Sequence, residues 1–252
     1  MKVIQNGLLV DIEESICTND GWLPGVGIFE TIKTENSHPW ALSRHMRRAI
    51  NAASVQGLIM PDEELIRKSI QELMHSEPLE HGVLRISIDS TNNWAAVHLP
   101  YIPKITAAKI CLHPHAVVSN GVSIKSFPYS HRLEILNLAE SKGFNEAIVT
   151  NAQGKICEGA VTNLLFKVAG VWCTPPLSDG ALPGVMRSLV IENCDVTVRS
   201  IDVSEIPKIE SGFLLSSLRL AQEIACIENQ ELSQSHQFQR EIEAMARRTS
   251  VG

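Results

Sequence analysis

Between Lys125 and Arg187 the chain carries an amine, a carboxylate and a helix start whose spacing suits one kind of chemistry. Lys125 follows the apolar Ile124 and precedes Phe127 and Pro128. On a core-facing strand its amine would sit at the edge of a partly desolvated pocket, where a lowered pKa makes it a nucleophile toward a carbonyl. At a strand end with its head in water it would do nothing, and position alone leaves both readings open. Glu158 lies in a run suited to burial, Ile156-Cys157-Glu158-Gly159-Ala160, so its carboxylate needs a cationic or protonated partner unless that strand end is exposed. A protonated ring nitrogen would serve, and the pair would keep such a ring an electron sink. Gly184, Val185 and Met186 open a helix directly after Leu182-Pro183, and the first amides of a helix suit an anion such as phosphate. Ser216 and Ser217 add hydroxyl donors at a strand end.

Other elements must hold these groups in place. Alternation around Asn6-Gly7 predicts two short strands and a tight turn over 2–10. IFETIKT (28–34) reads as a strand, followed by a turn at Asn36 to Pro39. Trp40 to Leu58 reads as a helix with Leu42, Met46, Ala49, Ile50 and Ala53 on one stripe. At about 100° per residue Arg48 falls at the margin of that stripe, where its guanidinium could offer a bidentate fork to phosphate. Asp62 caps a second helix through Met74, and strands follow at 83–90 and 95–99. The two prolines of LPYIPK make 99–104 a stiff connector between a domain at 1–98 and one at 105–252. Beyond it, strands are expected at AAKICLHP and SIKSF. A helix from Arg132 to Lys142 should turn Leu133, Leu136 and Ala139 inward and stop at Gly143. Strands EAIVT, KICEG, TNLLFKV and VWCTP come next, then the helix from Gly184 to about Cys194. After it come a strand VTVRSID, a helical IPKIE, a strand GFLLSS, and a helix from about Ser235 with a frayed tail. Runs of antiparallel strands without strict βαβ alternation give an α/β class of mixed sheets.

Composition excludes several function classes. With 44% hydrophobic and 20% charged residues the chain is globular, and a net charge of −6 offers no footprint for nucleic acid. The six cysteines show no paired spacing, so neither structural zinc nor a disulfide framework is expected. His113 and His115 look like a metal pair, but no third ligand is evident in the sequence. The first fifteen residues lack the apolar core of a signal peptide and no run is long enough to span a membrane, so a cytoplasmic protein is expected.

GFNEAIVTNAQGKICEGAVTNLLF (143–166) looks like the G-x-x-E-A … G-x-x-x-E-x-x-x-x-N-[LI]-F motif of the class IV aminotransferases, the fold-type IV pyridoxal-phosphate enzymes. The resemblance runs from GVGIFETIK (25–33) to SSLRLAQEI (216–224) and implies the two-domain fold of the D-amino-acid aminotransferases. It implies pyridoxal 5'-phosphate as cofactor, with Lys125 forming its Schiff base and Tyr129 at its phenolic oxygen. Glu158 would sit at its ring nitrogen. Arg48, Gly184, Val185, Met186, Ser216 and Ser217 would surround its phosphate, and Asn163 would be structural. The sequence departs from the family pattern at Leu23-Pro24-Gly25-Val26-Gly27, at Met186 and at Glu223, changes that bear on the substrate side. Thr31 in FETI, Met186 and Ser217-Leu218-Arg219 resemble the family's aminodeoxychorismate lyases, with Arg219 able to pair with a substrate carboxylate. The expected activity is therefore conversion of 4-amino-4-deoxychorismate to 4-aminobenzoate and pyruvate. The alternative is a D-amino-acid or branched-chain aminotransferase. The family also implies a homodimer acting on a small amino substrate.

Overall fold

The computed structural model describes residues 1–117 and 123–249. It divides into two compact units. The first comprises Met1–Pro103 and Ile124–Pro128, and the second comprises the described residues of Lys104–Ser123 with Tyr129–Arg248.

The first unit begins with β1 (Lys2–Gln5) and β2 (Leu8–Asp11), joined by Asn6 and Gly7 at φ 51° and 89°, the left-handed pair that a two-residue hairpin turn requires. β3 (Gly27–Glu35) and β4 (His38–Pro39) follow, then α1 (Leu42–Gln56), α2 (Glu63–Ser76), β5 (His81–Asp89) and β6 (Trp94–Pro100). After β7 (Ala108–Leu112) has been laid down in the second unit, the chain returns with β8 (Ser126–Phe127). The sheet runs β2-β1-β6-β5-β3-β4, with β8 added to β3. Period-two alternation sends Ile28 and Ile32 of β3 and Leu84, Ile86 and Ile88 of β5 into one core with Met46, Ala49 and Ala53 of α1 and Ile66, Ile70 and Leu73 of α2. Asp62 caps α2 by accepting from Leu65 N at 2.9 Å. Ile50 is exposed, not on the buried stripe of α1, and His45 is buried there instead.

The second unit continues with α3 (Ser130–Ser141), β9 (Glu146–Thr150), β10 (Ile156–Gly159), β11 (Asn163–Val168) and β12 (Val171–Thr174). It ends with α4 (Val185–Asn193), β13 (Thr197–Val198), β14 (Ile209–Ser216), β15 (Leu220–Ile227), β16 (Gln230–Glu231) and α5 (His236–Arg248). The strand order is β10-β9-β7-β15-β14-β11-β12-β13, with β16 on β15. Ile110, Ile148, Leu164, Phe166, Leu214 and Ile224 form its core.

Several expectations are corrected here. α3 buries Ile135 and Ala139 against Ala147 and Val149 of β9, while Leu133 is 38% exposed. Its four large apolar residues Leu133, Ile135, Leu136 and Leu138 spread over more than one stripe, so periodicity did not single out the packed face. VTVRSID keeps only two residues of strand, and the helical piece is a 3-10 segment at Val203–Lys208. The strand within SIKSF is limited to Ser126–Phe127. β15, central between β7 and β14, was not expected at all. The tail expected beyond α5 lies, from residue 250, outside the described residues.

The division also places Lys125 with the first unit, not with a C-terminal domain. Ser126 and Phe127 pair with Ile28 and Gly27, and Phe29 N donates to the Lys125 carbonyl at 3.0 Å. A Cβ on Gly27 would meet the Ile88 carbonyl oxygen at 2.1 Å and the Phe127 ring at 2.6 Å, so only glycine admits β8 here.

Candidate active site

In the first unit, alternation along β3 separates two sets of groups. Phe29 and Thr31 share one face. The Lys125 ammonium lies 4.3 Å from the centre of the Phe29 ring, a cation–π contact that holds the amine against an apolar surface. Thr31, half-buried, stands directly opposite Arg85 of β5. Arg85 lies over the Trp22 ring at 4.2 Å and donates through Nη1 to the Asp20 carbonyl at 2.8 Å. Its buried Nε has no partner among the described residues.

Glu30 falls on the other face between Ile28 and Ile32, which forces a carboxylate into the helix-packed core at 2% exposure. Arg48 meets it with a fork, Nε to Oε1 at 2.8 Å and Nη2 to Oε2 at 2.5 Å, and His45 Nδ1 lies 2.6 Å from Oε2. Burial pushes the Glu30 carboxyl up, but the charges and hydrogen bonds of Arg48 and His45 outweigh it and hold the group at about 2. Burial pushes His45 down despite Glu30, with Arg48 and Lys125 adding to that effect. The neutral imidazole therefore donates from Nδ1. The fork predicted for Arg48 exists, and in this structure it grips a carboxylate.

In the second unit, Glu158 is buried at the end of β10. Its Oε1 accepts from Arg132 Nη2 at 2.7 Å, and its Oε2 accepts from Leu182 N at 2.8 Å and Asn163 Nδ2 at 3.3 Å. Asn163 Nδ2 also donates to the Leu182 carbonyl at 3.0 Å, which ties β11 to the turn before α4. Gly184 is the N-cap of α4, and a Cβ there would lie 1.8 Å from Asn163 Oδ1. The side chains of Val185 and Met186 are buried in the core, so these residues offer a ligand only their amides. Arg187, on the first turn of α4, is buried with Nη2 on the Pro175 carbonyl at 2.7 Å and its Nε unpartnered. Tyr129 caps α3 and donates its hydroxyl to the Ala160 carbonyl at 3.5 Å.

Ser216 ends β14, and its Oγ accepts from Arg219 N at 3.1 Å. Ser217 beside it is buried. Arg219 was expected to meet a substrate carboxylate. Instead its guanidinium is buried 3.8 Å from Glu146 and bonds Gln222 at 3.2 Å. Burial pushes the wholly buried Glu146 carboxyl up against the pull of Arg219. Glu146 also accepts from Ala160 N and Thr162 Oγ1, and so braces the loop that follows Glu158.

The structure thus gathers Glu158, Asn163 and Gly184 around Leu182, and Ser216 and Arg219 around one turn, in the second unit. Lys125, Thr31 and Arg48 stand on the first. Sequence reasoning missed Glu30, His45 and Arg132. Glu30 was legible as a carboxylate between two isoleucines of a buried strand face. Arg132 had the weaker signal of lying three residues before Ile135 on a helix. His113 and His115 rings lie 5.8 Å apart, and no group of His, Cys, Asp or Glu suited to a metal occurs among the described residues.

Residues 27–227 match the family described as amino-transferase class IV, so the chain belongs to that family, whose enzymes use pyridoxal 5'-phosphate. The chain is 27% identical over 218 residues to a D-alanine aminotransferase from Bacillus licheniformis, covering 77% of this chain and 75% of that protein. It is 21% identical over 212 residues to an aminodeoxychorismate lyase from Bacillus subtilis, covering 75% and 72%. Among solved structures, a branched-chain aminotransferase from Thermoproteus uzoniensis superimposes with a TM-score of 0.86 at 25% identity, over 98% of this chain and 94% of that one. No helix among the described residues is long and apolar enough to cross a membrane.

Proposed function

We propose that the protein is a pyridoxal-phosphate lyase that converts 4-amino-4-deoxychorismate to 4-aminobenzoate and pyruvate. The observation that carries the chemistry is the Lys125 amine held 4.3 Å from the Phe29 ring centre. The donor set fits the cofactor. The amides at the start of α4 suit its phosphate, Gly184 lets Asn163 Oδ1 pack against that helix start, and Arg187 beside it holds a buried Nε with no acceptor among the described residues. When bound, the cofactor supplies an aldehyde for amines and an electron sink for the substrate α-carbon.

Lys125 Nζ would hold the cofactor covalently and, as a free amine, would carry a proton to and from the substrate carbon. Glu158 would pair with the ring nitrogen. The amides of Val185 and Met186 and the hydroxyls of Ser216 and Ser217 would bind the phosphate, Arg48, whose fork is held by Glu30, would contribute its charge, and Tyr129 would orient the phenolic oxygen. Thr31, half-buried opposite Arg85, lies on the substrate side. Arg219 is left out of that set because Glu146 and Gln222 occupy it. The same reading expects a cytoplasmic homodimer of the folate pathway.

Supplied with aminodeoxychorismate and no keto acid, the protein should release pyruvate and 4-aminobenzoate, and Lys125→Ala should lose the lysine–cofactor absorbance band. Turnover only when a keto acid acceptor is added would establish the second reading, an aminotransferase. The similarity to the Bacillus licheniformis enzyme over 77% of this chain favours that alternative.

A further inference from the structure

Glu158 is already paired with a cation of its own fold. Arg132 Nη2 reaches its Oε1 at 2.7 Å, and Nη1 of the same guanidinium reaches the Gly159 carbonyl at 3.4 Å. The arginine is planted firmly. It sits on α3 one turn before Ile135 and two before Ala139, the residues that bury that helix against β9. Its side chain is 16% exposed and that of Glu158 8%, so little water screens the pair. The second carboxylate oxygen is held from another side by Leu182 N and Asn163 Nδ2.

We propose that Arg132 is a positioning residue for Glu158, the standing counter-ion that keeps this carboxylate ionised and fixed in plane whether or not a ligand lies before it. The proposal rests on the reading of Glu158 as the partner of the cofactor's ring nitrogen. Arginine stays charged throughout the working pH range, so the pairing does not lapse as pH falls. A buried carboxyl stripped of such a cation takes up a proton more readily, and a neutral carboxyl no longer holds a protonated ring by charge. The other charged or titratable groups facing this point are Arg187 of α4, Glu146 behind Gly159, Cys157 and Asp179. On the Arg132 side stand His113, His115, His131 and Lys142. Arg187 leaves some positive charge in place, so loss of Arg132 weakens the carboxylate's ionisation without abolishing it.

The test uses Arg132→Met and Arg132→Lys in the full chain, with Arg132→Gln as substitute if the methionine variant does not fold. Pyridoxal 5'-phosphate is titrated into cofactor-free protein between pH 8.5 and 5.5, and the ratio of variant to wild-type dissociation constants is followed. Arg132→Met should show that ratio rising about tenfold or more toward acid, tenfold being one pKa unit. Arg132→Lys, which restores the charge, should stay within about twofold of wild type. A ratio that is high but independent of pH would reduce Arg132 to a packing residue and overturn the proposal. Should the wild-type protein take up no pyridoxal 5'-phosphate, the reading of the site fails, and Arg132 is then judged without cofactor. Melting temperatures of Arg132→Met, Glu158→Gln and the double variant should show that removing the carboxylate's charge recovers most of the loss caused by removing its cation. Losses that simply add would overturn the pairing itself.

Discussion

Glu30 shows how a single misplaced-looking side chain governs its surroundings. It stands between two core isoleucines, and burial alone would neutralise it. Arg48 and His45 keep it ionised at about 2, below the ordinary carboxylate value of 4.5. A depressed native pKa adds stability that is complete above the unfolded value and lost as pH falls through the native one. Urea unfolding should therefore find Glu30→Gln less stable by about 3 kcal/mol at pH 7, because it leaves a buried guanidinium without its charge partner. That difference should shrink between pH 4.5 and about 2, where wild-type Glu30 itself takes up a proton. A deficit that stayed constant across this window would show that packing, not charge, sets the cost. None of this was visible when Arg48 was read as a phosphate ligand from its angle on the helix. That angle puts Arg48 at the margin of the apolar stripe but cannot report that a carboxylate from β3, eighteen residues earlier, engages its fork.

At the scale of elements, α4 depends on contact between two motifs far apart in sequence. Gly184 has φ −68°, which any residue adopts, so its requirement is steric: Asn163 Oδ1 occupies the space of a Cβ. Gly184→Ala should cost about 1–3 kcal/mol and weaken cofactor retention, read by thermal melting and by pyridoxal-phosphate titration. Asn163→Ala in the same chain should relieve the clash, so the double variant should melt above the sum of the two losses. Helix starts, capping by Asp62 and the Asn6-Gly7 turn were legible because each is a local event with its own residue chemistry. β15 and the shortness of β13 were not, for opposite reasons. β15 carries Gln222 and Glu223 in a buried central strand, where tertiary partners at Thr106 and Ser235 satisfy them, so no alternation betrays it. β13 has the β-branched residues of a strand but finds only a two-residue partner in β12. On α3, Leu133 drew attention from Ile135, which β9 buries, and from Arg132, which Glu158 of β10 engages.

For the molecule as a whole, the order of chemistry-bearing residues was readable and their distribution over the two units was not. Prolines at 100 and 103 place the expected connector at 99–104, and the first unit's leading segment runs to Pro103. Nothing local marked the return of residues 124–128, because pairing of β8 with β3 joins positions one hundred residues apart (Gly27 with Phe127). A fragment of residues 1–103 should accordingly fail to reproduce the first unit. It lacks β8, leaves the Gly27–Ile28 edge of β3 unpaired and exposes the Phe29 ring. Circular dichroism and urea unfolding should show a broad transition, sharpened when a peptide spanning 123–129 is added; a sharp, peptide-independent transition would show that β8 is dispensable. The same long-range pairing sets an order of events during synthesis. A strand added across so many residues closes late and at high entropic cost. The nascent chain has already been given both helices and the long hairpin of the first unit when Lys125 is translated. β8, with Lys125 just before it, is thus the last part of this sheet to arrive, and under the proposed function a ribosome that stalls before it leaves behind a chain without the amine that would trap an aldehyde.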